Sequence, residues 1–270
     1  MLFQPSEASI FKLFSLKDNV SLITGGARGI GLGAAIGLAE AGSDIAITYN
    51  SSKPDEVKKV EEIFQELGVR FKAYKCNVVN KKDIEACVNQ VVSDFGRLDI
   101  VVPNAGVAVH QEAEKFTEEN YHKTLSVNLD GAFFTAQAAA NAFKKQKENS
   151  ESFNQGRIVF TASISSSIVN YPQPQAPYNA SKAAVVRLAK CLAVEWVDFA
   201  RVNCVSPGYI ATEMTDVHPE EWKKIWFSLI PAKRMCSVYE LKGVYVFLAS
   251  QASSYVTGEE VIVGGGYALL

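Results

Sequence analysis

Short apolar runs alternate along the chain with longer segments in which apolar and polar residues are mixed. We predict strands at seven of these runs, at residues 20–24, 44–49, 71–75, 98–102, 157–162, 201–205 and 260–263. The intervening segments predict helices: one that ends near Gly42, one that carries Tyr178, and others at 56–67, 82–95, 117–145 and 237–250. Strands that alternate with helices are typical of a parallel sheet covered on both faces, so the pattern predicts one doubly wound α/β domain.

A glycine-rich turn, T-G-G-A-R-G-I-G at residues 24–31, joins the first predicted strand to the first helix. Glycines let the backbone approach a pyrophosphate closely, and a helix N-terminus supplies free N–H groups and a favourable dipole. The glycine spacing differs from the common G-x-G-x-x-G pattern, and a turn that serves only helix–strand packing is the alternative interpretation. The turn predicts a seat for a dinucleotide phosphate.

The end of the second predicted strand indicates which nicotinamide cofactor is bound. Asn50, Ser51 and Ser52 follow this strand, and no acid appears before Asp55. A carboxylate at this place would bind the adenosine ribose, whereas a 2′-phosphate needs hydroxyl groups or cations. Arg28, in the glycine turn, offers a guanidinium suited to phosphate. These residues predict NADPH/NADP+ as the cofactor.

Tyr178 and Lys182 are four residues apart in Y-N-A-S-K, a spacing that places both side chains on one helix face. An ammonium beside a phenol favours the phenolate, so we predict a lowered tyrosine pKa and proton exchange near neutral pH. Ser163 lies upstream, at the end of an apolar strand. A second pair with this spacing, Tyr49 and Lys53, precedes Pro54 and is interpreted as a chance match.

The amino-acid composition indicates which partners, metals and cellular compartments are expected for this protein. The chain has 27 basic and 29 acidic residues, which gives no indication of a nucleic-acid or membrane partner. The five scattered cysteines favour reduced thiols in a cytoplasmic protein, and the three isolated histidines favour no metal site. No apolar run is long enough for a membrane span, and residues 1–16 lack the pattern of a secretory signal. We interpret those residues as an extension that forms a lid or an oligomer contact.

Five ordered motifs resemble the short-chain dehydrogenase/reductase family from residue 16 to residue 270. They are the glycine turn, P-N-A-G at 103–106, Asn128 in S-V-N-L-D, the trio Ser163, Tyr178 and Lys182, and S-P-G-Y-I-A-T at 206–212. Within the family, the segments around Tyr178 and residues 199–210 are similar to fungal sorbose reductases, carbonyl reductases and mannitol 2-dehydrogenases. The resemblance implies a single Rossmann-type domain over 1–270, with a substrate lid at 212–232.

The resemblance also implies roles for individual residues. Tyr178 would protonate the substrate carbonyl oxygen, Ser163 would orient it, Lys182 would lower the tyrosine pKa and hold the nicotinamide ribose, and Asn128 would hold a water. The residues it implies for cofactor binding are Gly25, Arg28, Gly29, Ile30, Gly31, Asn50, Ser51, Ser52, Asn77, Val78, Asn104, Ala105, Gly106, Tyr178, Lys182, Pro207, Gly208, Ile210 and Thr212.

The chain departs from the family pattern at Asn77, Pro103 and Gly264, the last of which is expected to loosen a structural contact. Ser163 also lies fifteen positions before Tyr178, farther than is usual, and Ser165 is a competing choice for the catalytic serine. We expect the prolines between them to loop out the extra residues.

Aromatic residues in the segment 213–230 favour either a lid over a sugar or aryl ketone, or a helix buried in an oligomer contact. Small residues on helices 117–143 and 176–199 favour close contacts between subunits of a homotetramer. The fungal resemblance implies a ketone, ketose or polyol as substrate. A reductase of 3-oxoacyl thioesters and a nucleotide-binding scaffold without turnover are the rival interpretations, although the intact trio argues against the scaffold.

Overall fold

Seven parallel strands form the sheet in a computed structural model that describes residues 8–150 and 153–269. They are β1 (Val20–Thr24), β2 (Asp44–Tyr49), β3 (Phe71–Lys75), β4 (Ile100–Val102), β5 (Gly156–Thr161), β6 (Ala200–Pro207) and β9 (Glu260–Val263). Their order is β3-β2-β1-β4-β5-β6-β9, and every neighbouring pair is parallel. A second, two-stranded sheet pairs β7 (Ile210–Ala211) with β8 (Cys236–Ser237). The predicted doubly wound fold is confirmed.

Ten α-helices connect the described strands. They are α1 (Ile10–Phe14), α2 (Gly29–Glu40), α3 (Pro54–Glu66), α4 (Lys81–Phe95), α5 (Glu118–Leu125), α6 (Gly131–Asn149), α7 (Ala176–Glu195), α8 (Glu213–Asp216), α9 (Glu220–Leu229) and α10 (Lys242–Ala249). None of the helices in this part of the chain combines the length and the apolar character that a bilayer crossing requires.

The helices cover both faces of the sheet because successive strand residues point to opposite sides. In β1, Leu22 packs into a core that includes residues of α4, α6 and α7, whereas Ile23 packs into one that includes residues of α2, α3 and α10. Both side chains are fully buried. Two apolar layers therefore hold the sheet and fix where its strands end.

Local signals begin and end several of the helices. Asn80 accepts a hydrogen bond from the backbone N–H of Lys82 (3.1 Å) at the start of α4, which ends at Gly96 with φ +83°. Thr117 accepts one from Asn120 at the start of α5. The predicted helix over 117–145 is divided by a five-residue π-helical segment, Ser126–Asp130, which lies between α5 and α6.

Two local predictions need correction. The segment 237–250 does not form one helix, because the capping box of Ser237 and Glu240 opens a 3₁₀ turn (Val238–Leu241) that precedes α10. Gly264 does not loosen its surroundings: a Cβ there would lie 3.0 Å from Cγ2 of Ile164, and Gly208 packs directly against it. Glycine at this position therefore allows two loops to approach closely.

The N-terminal segment packs on the body of the protein. Phe14 of α1 lies 6.2 Å from Phe247 between ring centroids, and Leu16 is fully buried. Phe11 is 86% exposed on the same helix. Residues 1–7 of the predicted extension lie outside the described residues.

The small residues of α6 and α7 mostly serve the core of the single chain. Ala138, Ala139, Ala140 and Ala189 are buried within it, whereas Ala183 is exposed. These four alanines therefore pack against their own sheet, and the contacts between subunits stay a prediction.

Candidate active site

A cavity of about 920 Å³ opens at the carboxyl ends of the strands. The chain leaves β1 towards β2 and β3 but leaves β4 towards β5 and β6, so the crevice between β1 and β4 is the topological switch point. Every residue predicted to bind the cofactor lines this cavity, and so do Ser163, Tyr178 and Lys182. Of the predicted set, Asn128 alone is absent from the lining.

The glycine turn is shaped to admit a ligand close to its backbone. Gly25 and Gly29 have φ values of +65° and +55°, which side-chain-bearing residues rarely adopt. A Cβ on Gly31 would lie 2.4 Å from the carbonyl oxygen of Gly25 and would close the cradle. The N-terminus of α2 begins at Gly29, so its free N–H groups face the cavity. These features fit the pyrophosphate of a dinucleotide.

Asn104 holds the turn against the end of β4. Its side-chain amide donates to the carbonyls of Thr24 (3.0 Å) and Gly25 (3.3 Å), while its backbone N–H donates to the hydroxyl of Thr24 (2.9 Å). The Ala105 N–H shares that hydroxyl at 3.2 Å. Asn104 therefore fixes the shape of the cradle.

The other end of the cradle is polar and carries a guanidinium that is paired with a carboxylate. Asn50 and Ser51 are exposed at the end of β2, and Arg28 extends beside them with 68% of its side chain exposed. Glu213 is the single carboxylate among the described lining residues, and it lies 3.6 Å from Arg28. This region has the charge and the hydroxyl groups that a 2′-phosphate requires.

Tyr178 and Lys182 lie on one face of α7, and the Lys182 ammonium is 5.7 Å from the centre of the phenol ring. Lys182 is buried and donates to the carbonyl of Thr161 at 2.8 Å. Burial lowers the pKa of Lys182 to about 8, despite opposition from Cys204. The second pair, Tyr49 and Lys53, shares no helix, because Tyr49 ends β2 and Lys53 is extended before α3.

The sequence predicts a lowered pKa for Tyr178, but the surroundings of the phenol act in the opposite direction. Burial raises the pKa of Tyr178, and a hydrogen bond with Ser163 only opposes this. The ammonium of Lys182 is directed to the Thr161 carbonyl instead, so in the protein alone desolvation of the phenol dominates. A neutral phenol is the form that can donate a proton.

Ser163 and Ser165 occupy different positions around the phenol. Ser163 begins the 3₁₀ turn Ile164–Ser166, where its hydroxyl accepts from the N–H of Ser165 at 3.1 Å. The two hydroxyls are 3.0 Å apart, and Gln175 reaches Ser165 from the far side at 3.4 Å. Ser163 therefore contacts Tyr178, whereas Ser165 supports Ser163. The extra residues before Tyr178 form this turn and the bends that precede α7.

Asn128 lies behind the cavity wall. Its Oδ1 accepts from the N–H of Val107 (2.8 Å), and its Nδ2 donates to the Val107 carbonyl (3.0 Å) and to the Ser181 hydroxyl (3.1 Å). A Cβ on Gly106 would lie 3.3 Å from Oδ1 of Asn128 and 3.7 Å from Nζ of Lys182. Asn128 thus clamps the loop that lies against the Lys182 ammonium.

Beyond the trio, the cavity is lined by a polar network that the sequence did not predict. The Tyr209 hydroxyl accepts from Gln173 (2.9 Å) and from Asn170 (3.2 Å). The indole N–H of Trp226 donates to Oε1 of Gln173 at 2.8 Å. The one sequence signal is N-Y-P-Q-P-Q at residues 170–175, where amides recur just before Tyr178. This end of the cavity is equipped to bind hydroxyl groups.

No metal site accompanies this arrangement among residues 8–150 and 153–269, where His, Cys, Asp and Glu form no group of three able to hold an ion. The reacting end of the cavity instead combines a proton donor, a hydroxyl and an ammonium beside a dinucleotide cradle. That combination is suited to hydride transfer coupled to proton transfer at a carbonyl.

Comparison with known proteins agrees with this chemistry. A family model described as enoyl-(acyl carrier protein) reductase matches residues 25–268. NADP-dependent mannitol dehydrogenase of Hypocrea jecorina is 44% identical over 97% of each chain. Sorbose reductase of Candida albicans is 44% identical over 96% of this chain and 90% of its own. The crystal structure of NADPH-dependent 3-quinuclidinone reductase from Rhodotorula rubra superposes with a TM-score of 0.92 at 39% identity, covering 100% of this chain and 98% of that one.

The fold and the cavity thus define an oxidoreductase of the dinucleotide-binding α/β class. The chain belongs to the short-chain dehydrogenase/reductase family, over nearly its whole length. The resemblance inferred from the five motifs is confirmed, including its similarity to fungal enzymes that act on sugars and polyols.

Proposed function

We propose that the protein is an NADPH-dependent reductase that converts the carbonyl of a ketose or small ketone to a secondary alcohol. The observation that carries this proposal is one continuous cavity. It joins the glycine cradle to Ser163, Tyr178 and Lys182, and then to the amides and hydroxyl around Tyr209. The relatives named for mannitol, sorbose and a cyclic ketone support the same class of substrate.

In the proposed mechanism, the reduced nicotinamide supplies a hydride to the carbonyl carbon when it is bound. Tyr178, kept neutral by its burial, donates its proton to the carbonyl oxygen as negative charge develops there. Ser163 donates a hydrogen bond to the same oxygen and orients it. Lys182 stabilises the resulting phenolate with its ammonium and, as the family resemblance implies, holds the nicotinamide ribose. Asn128 completes the catalytic set by clamping the loop at Val107.

The preference for NADPH is proposed to arise from Arg28, Asn50, Ser51 and Ser52 at the end of β2. Replacing Asn50 by Asp places a like charge beside the 2′-phosphate and should shift the ratio of kcat/KM towards NADH. Asn141→Asp is the matched control, since Asn141 is an exposed asparagine of α6 that lies outside the cavity. Equal kcat/KM values for NADPH and NADH in the unmodified enzyme would contradict the assignment.

The substrate class is tested with the purified protein and NADPH on L-sorbose, D-fructose, an aryl ketone and an acetoacetyl thioester. We expect reduction of a ketose or of the simple ketone, with little turnover of the thioester. Tyr178→Phe keeps the ring but removes the proton, so kcat should fall about 10²–10⁴-fold while NADPH binding persists. Preferential thioester reduction would favour the acyl-thioester alternative. NADPH binding without any turnover would favour a scaffold.

We further propose that residues 212–232 act as the substrate lid and that the enzyme works as a cytoplasmic homotetramer. Glu213, Thr215, Val217, His218 and Trp226 line the cavity mouth, which supports the lid. All five cysteines are free, which fits a reducing compartment. Light scattering should give four times the 29.4 kDa mass of the chain, and a monomeric mass would exclude the tetramer.

A further inference from the structure

Two histidines that the proposed mechanism does not use face each other at the substrate end of the cavity. His110 lies in the loop after β4, and His218 lies between α8 and α9 in the segment 212–232. Their ring centroids are 4.6 Å apart, in an edge-to-face arrangement, and both residues line the cavity. The pair therefore joins the fixed wall of the cavity to the proposed lid.

His110 carries a buried polar atom without a partner. Its Nδ1 makes no hydrogen bond within the described residues, although buried donors and acceptors are nearly always paired in native proteins. Burial, and next the neighbouring His218, lower the pKa of His110 to about 4. The imidazole is therefore neutral at physiological pH, and a ligand hydroxyl that reaches this buried nitrogen would supply the partner that it lacks.

The His110 ring packs against His218 and Trp222, whose ring centroids lie 4.6 and 6.1 Å away. The next residue, Gln111, donates its backbone N–H to the Pro174 carbonyl at 3.0 Å, which ties this loop to the segment before α7. His218 stacks on Trp222, with centroids 5.4 Å apart and an interplanar angle of 24°. His218 also lies edge-to-face with Trp226, with centroids 5.5 Å apart, and the Trp226 indole donates a hydrogen bond to Gln173. The ring that bears the unpaired nitrogen is thus pre-positioned.

We propose that His110 is a specificity-determining residue whose Nδ1 bonds a substrate hydroxyl that is remote from the reacting carbonyl. His218 is a positioning residue that holds the His110 ring. This inference rests on the proposed function and deepens it, because a polyhydroxylated ketose supplies such a hydroxyl and a simple ketone does not. A hydroxyl both donates and accepts, so it pairs with Nδ1 in either tautomer of the neutral ring.

Two replacements of His110 separate hydrogen bonding from packing. His110→Asn places an amide near the position of Nδ1, whereas His110→Phe keeps a ring without polar atoms. His122→Phe is the matched control, since His122 is exposed on α5 and outside the cavity. Unfolding followed by circular dichroism should show that each variant is folded at the assay temperature.

The assay compares kcat/KM for D-fructose or L-sorbose with that for cyclohexanone, which has no hydroxyl group. We expect His110→Phe to lower the ketose value about 10- to 100-fold and to leave the cyclohexanone value near that of the unmodified enzyme. His110→Asn should recover most of the loss. His218→Ala should raise the ketose KM with little change in kcat, because the ring it holds becomes mobile. Equal losses on both substrates, or no loss on either, would overturn the inference.

A binding measurement distinguishes failure of this inference from failure of the proposed function. Calorimetry measures the affinity of D-mannitol for the unmodified protein and for His110→Phe, both saturated with NADP+. If the unmodified protein reduces no ketose but binds D-mannitol more tightly than His110→Phe does, the proposed reduction is contradicted and hydroxyl recognition by His110 is supported. Equal affinities, or no binding by either protein, would overturn hydroxyl recognition even if ketoses are reduced.

Discussion

Replacing Asn128 by Ala should destabilise the protein as well as slow it. Asn128 is 1% exposed, and its amide makes three hydrogen bonds, two of them to the backbone of Val107. Alanine leaves the Val107 N–H and C=O without these partners. Ser181 is less affected, because its hydroxyl also donates to the Tyr178 carbonyl at 2.7 Å.

The magnitude follows from the bonds that are lost. Each neutral hydrogen bond contributes about 0.5–1.5 kcal/mol, and a stranded buried group costs about 1–3 kcal/mol. Because Val107 lies at the cavity wall, solvent recovers part of this, and we expect a loss of about 2–3 kcal/mol. For a chain of this size each kcal/mol lowers Tm by about 2–4 °C, so Tm should fall by about 5–10 °C.

The assay pairs thermal unfolding with NADPH kinetics, and Asn203→Ala is the control. Asn203 is equally buried and bridges the Val256 carbonyl and the Glu259 N–H at 3.0 Å each, outside the cavity. Both variants should melt earlier, but only Asn128→Ala should raise the KM for NADPH and lower kcat. An Asn128→Ala protein with unchanged Tm and strongly reduced kcat would refute the clamp and leave a purely chemical role.

Three further changes test the neighbouring contacts. Ser163→Ala should lower kcat about 10²–10³-fold, and Ser165→Ala should lower it less, because Ser165 acts only through Ser163; steady-state rates with the opposite ranking would reverse the assignment. Gly31→Ala places a Cβ 2.4 Å from the Gly25 carbonyl oxygen, so fluorescence titration should show NADPH binding weakened at least about tenfold. An unchanged Kd would mean that the glycine turn moves to accommodate the Cβ. Trp226→Phe removes the donor to Oε1 of Gln173, so the free energy of unfolding should fall by about 1–3 kcal/mol and Tm by a few degrees. A calorimetric scan measures this fall, and an unchanged Tm would show that the Gln173 amide has another partner.

Much of the fold and of the cofactor cradle was predictable because each depends on local patterns. The bounds of β1, β2, β3 and β9 match the predicted runs, since apolar stretches between polar turns are read directly from the chain. The residues predicted to bind the cofactor line one cavity because parallel strands end at one edge of the sheet. The central strands β5 and β6 differ from prediction by one or two residues at their ends.

The substrate end was not predictable because it depends on contacts between distant segments. Gln173 meets Tyr209 and Trp226 across 36 and 53 positions, with no periodicity to reveal the pairing. The pKa of Tyr178 was predicted in the wrong direction because sequence spacing shows the ammonium but not the desolvation. The three histidines are isolated in the sequence, and only the fold brings His110 next to His218.

The boundary between β4 and β5, where Ile100 pairs with Arg157, is a seam at which the amino-terminal and carboxyl-terminal parts of the sheet meet. The amino-terminal part of the chain, through α6, carries the glycine cradle, whereas Tyr178, the proposed proton donor, belongs to the carboxyl-terminal part. Neither part contains a complete cavity, so turnover requires the seam to be closed. Recovery of NADPH oxidation during refolding therefore reports the joining of the two parts, whereas recovery of helical signal alone reports only that local elements have formed.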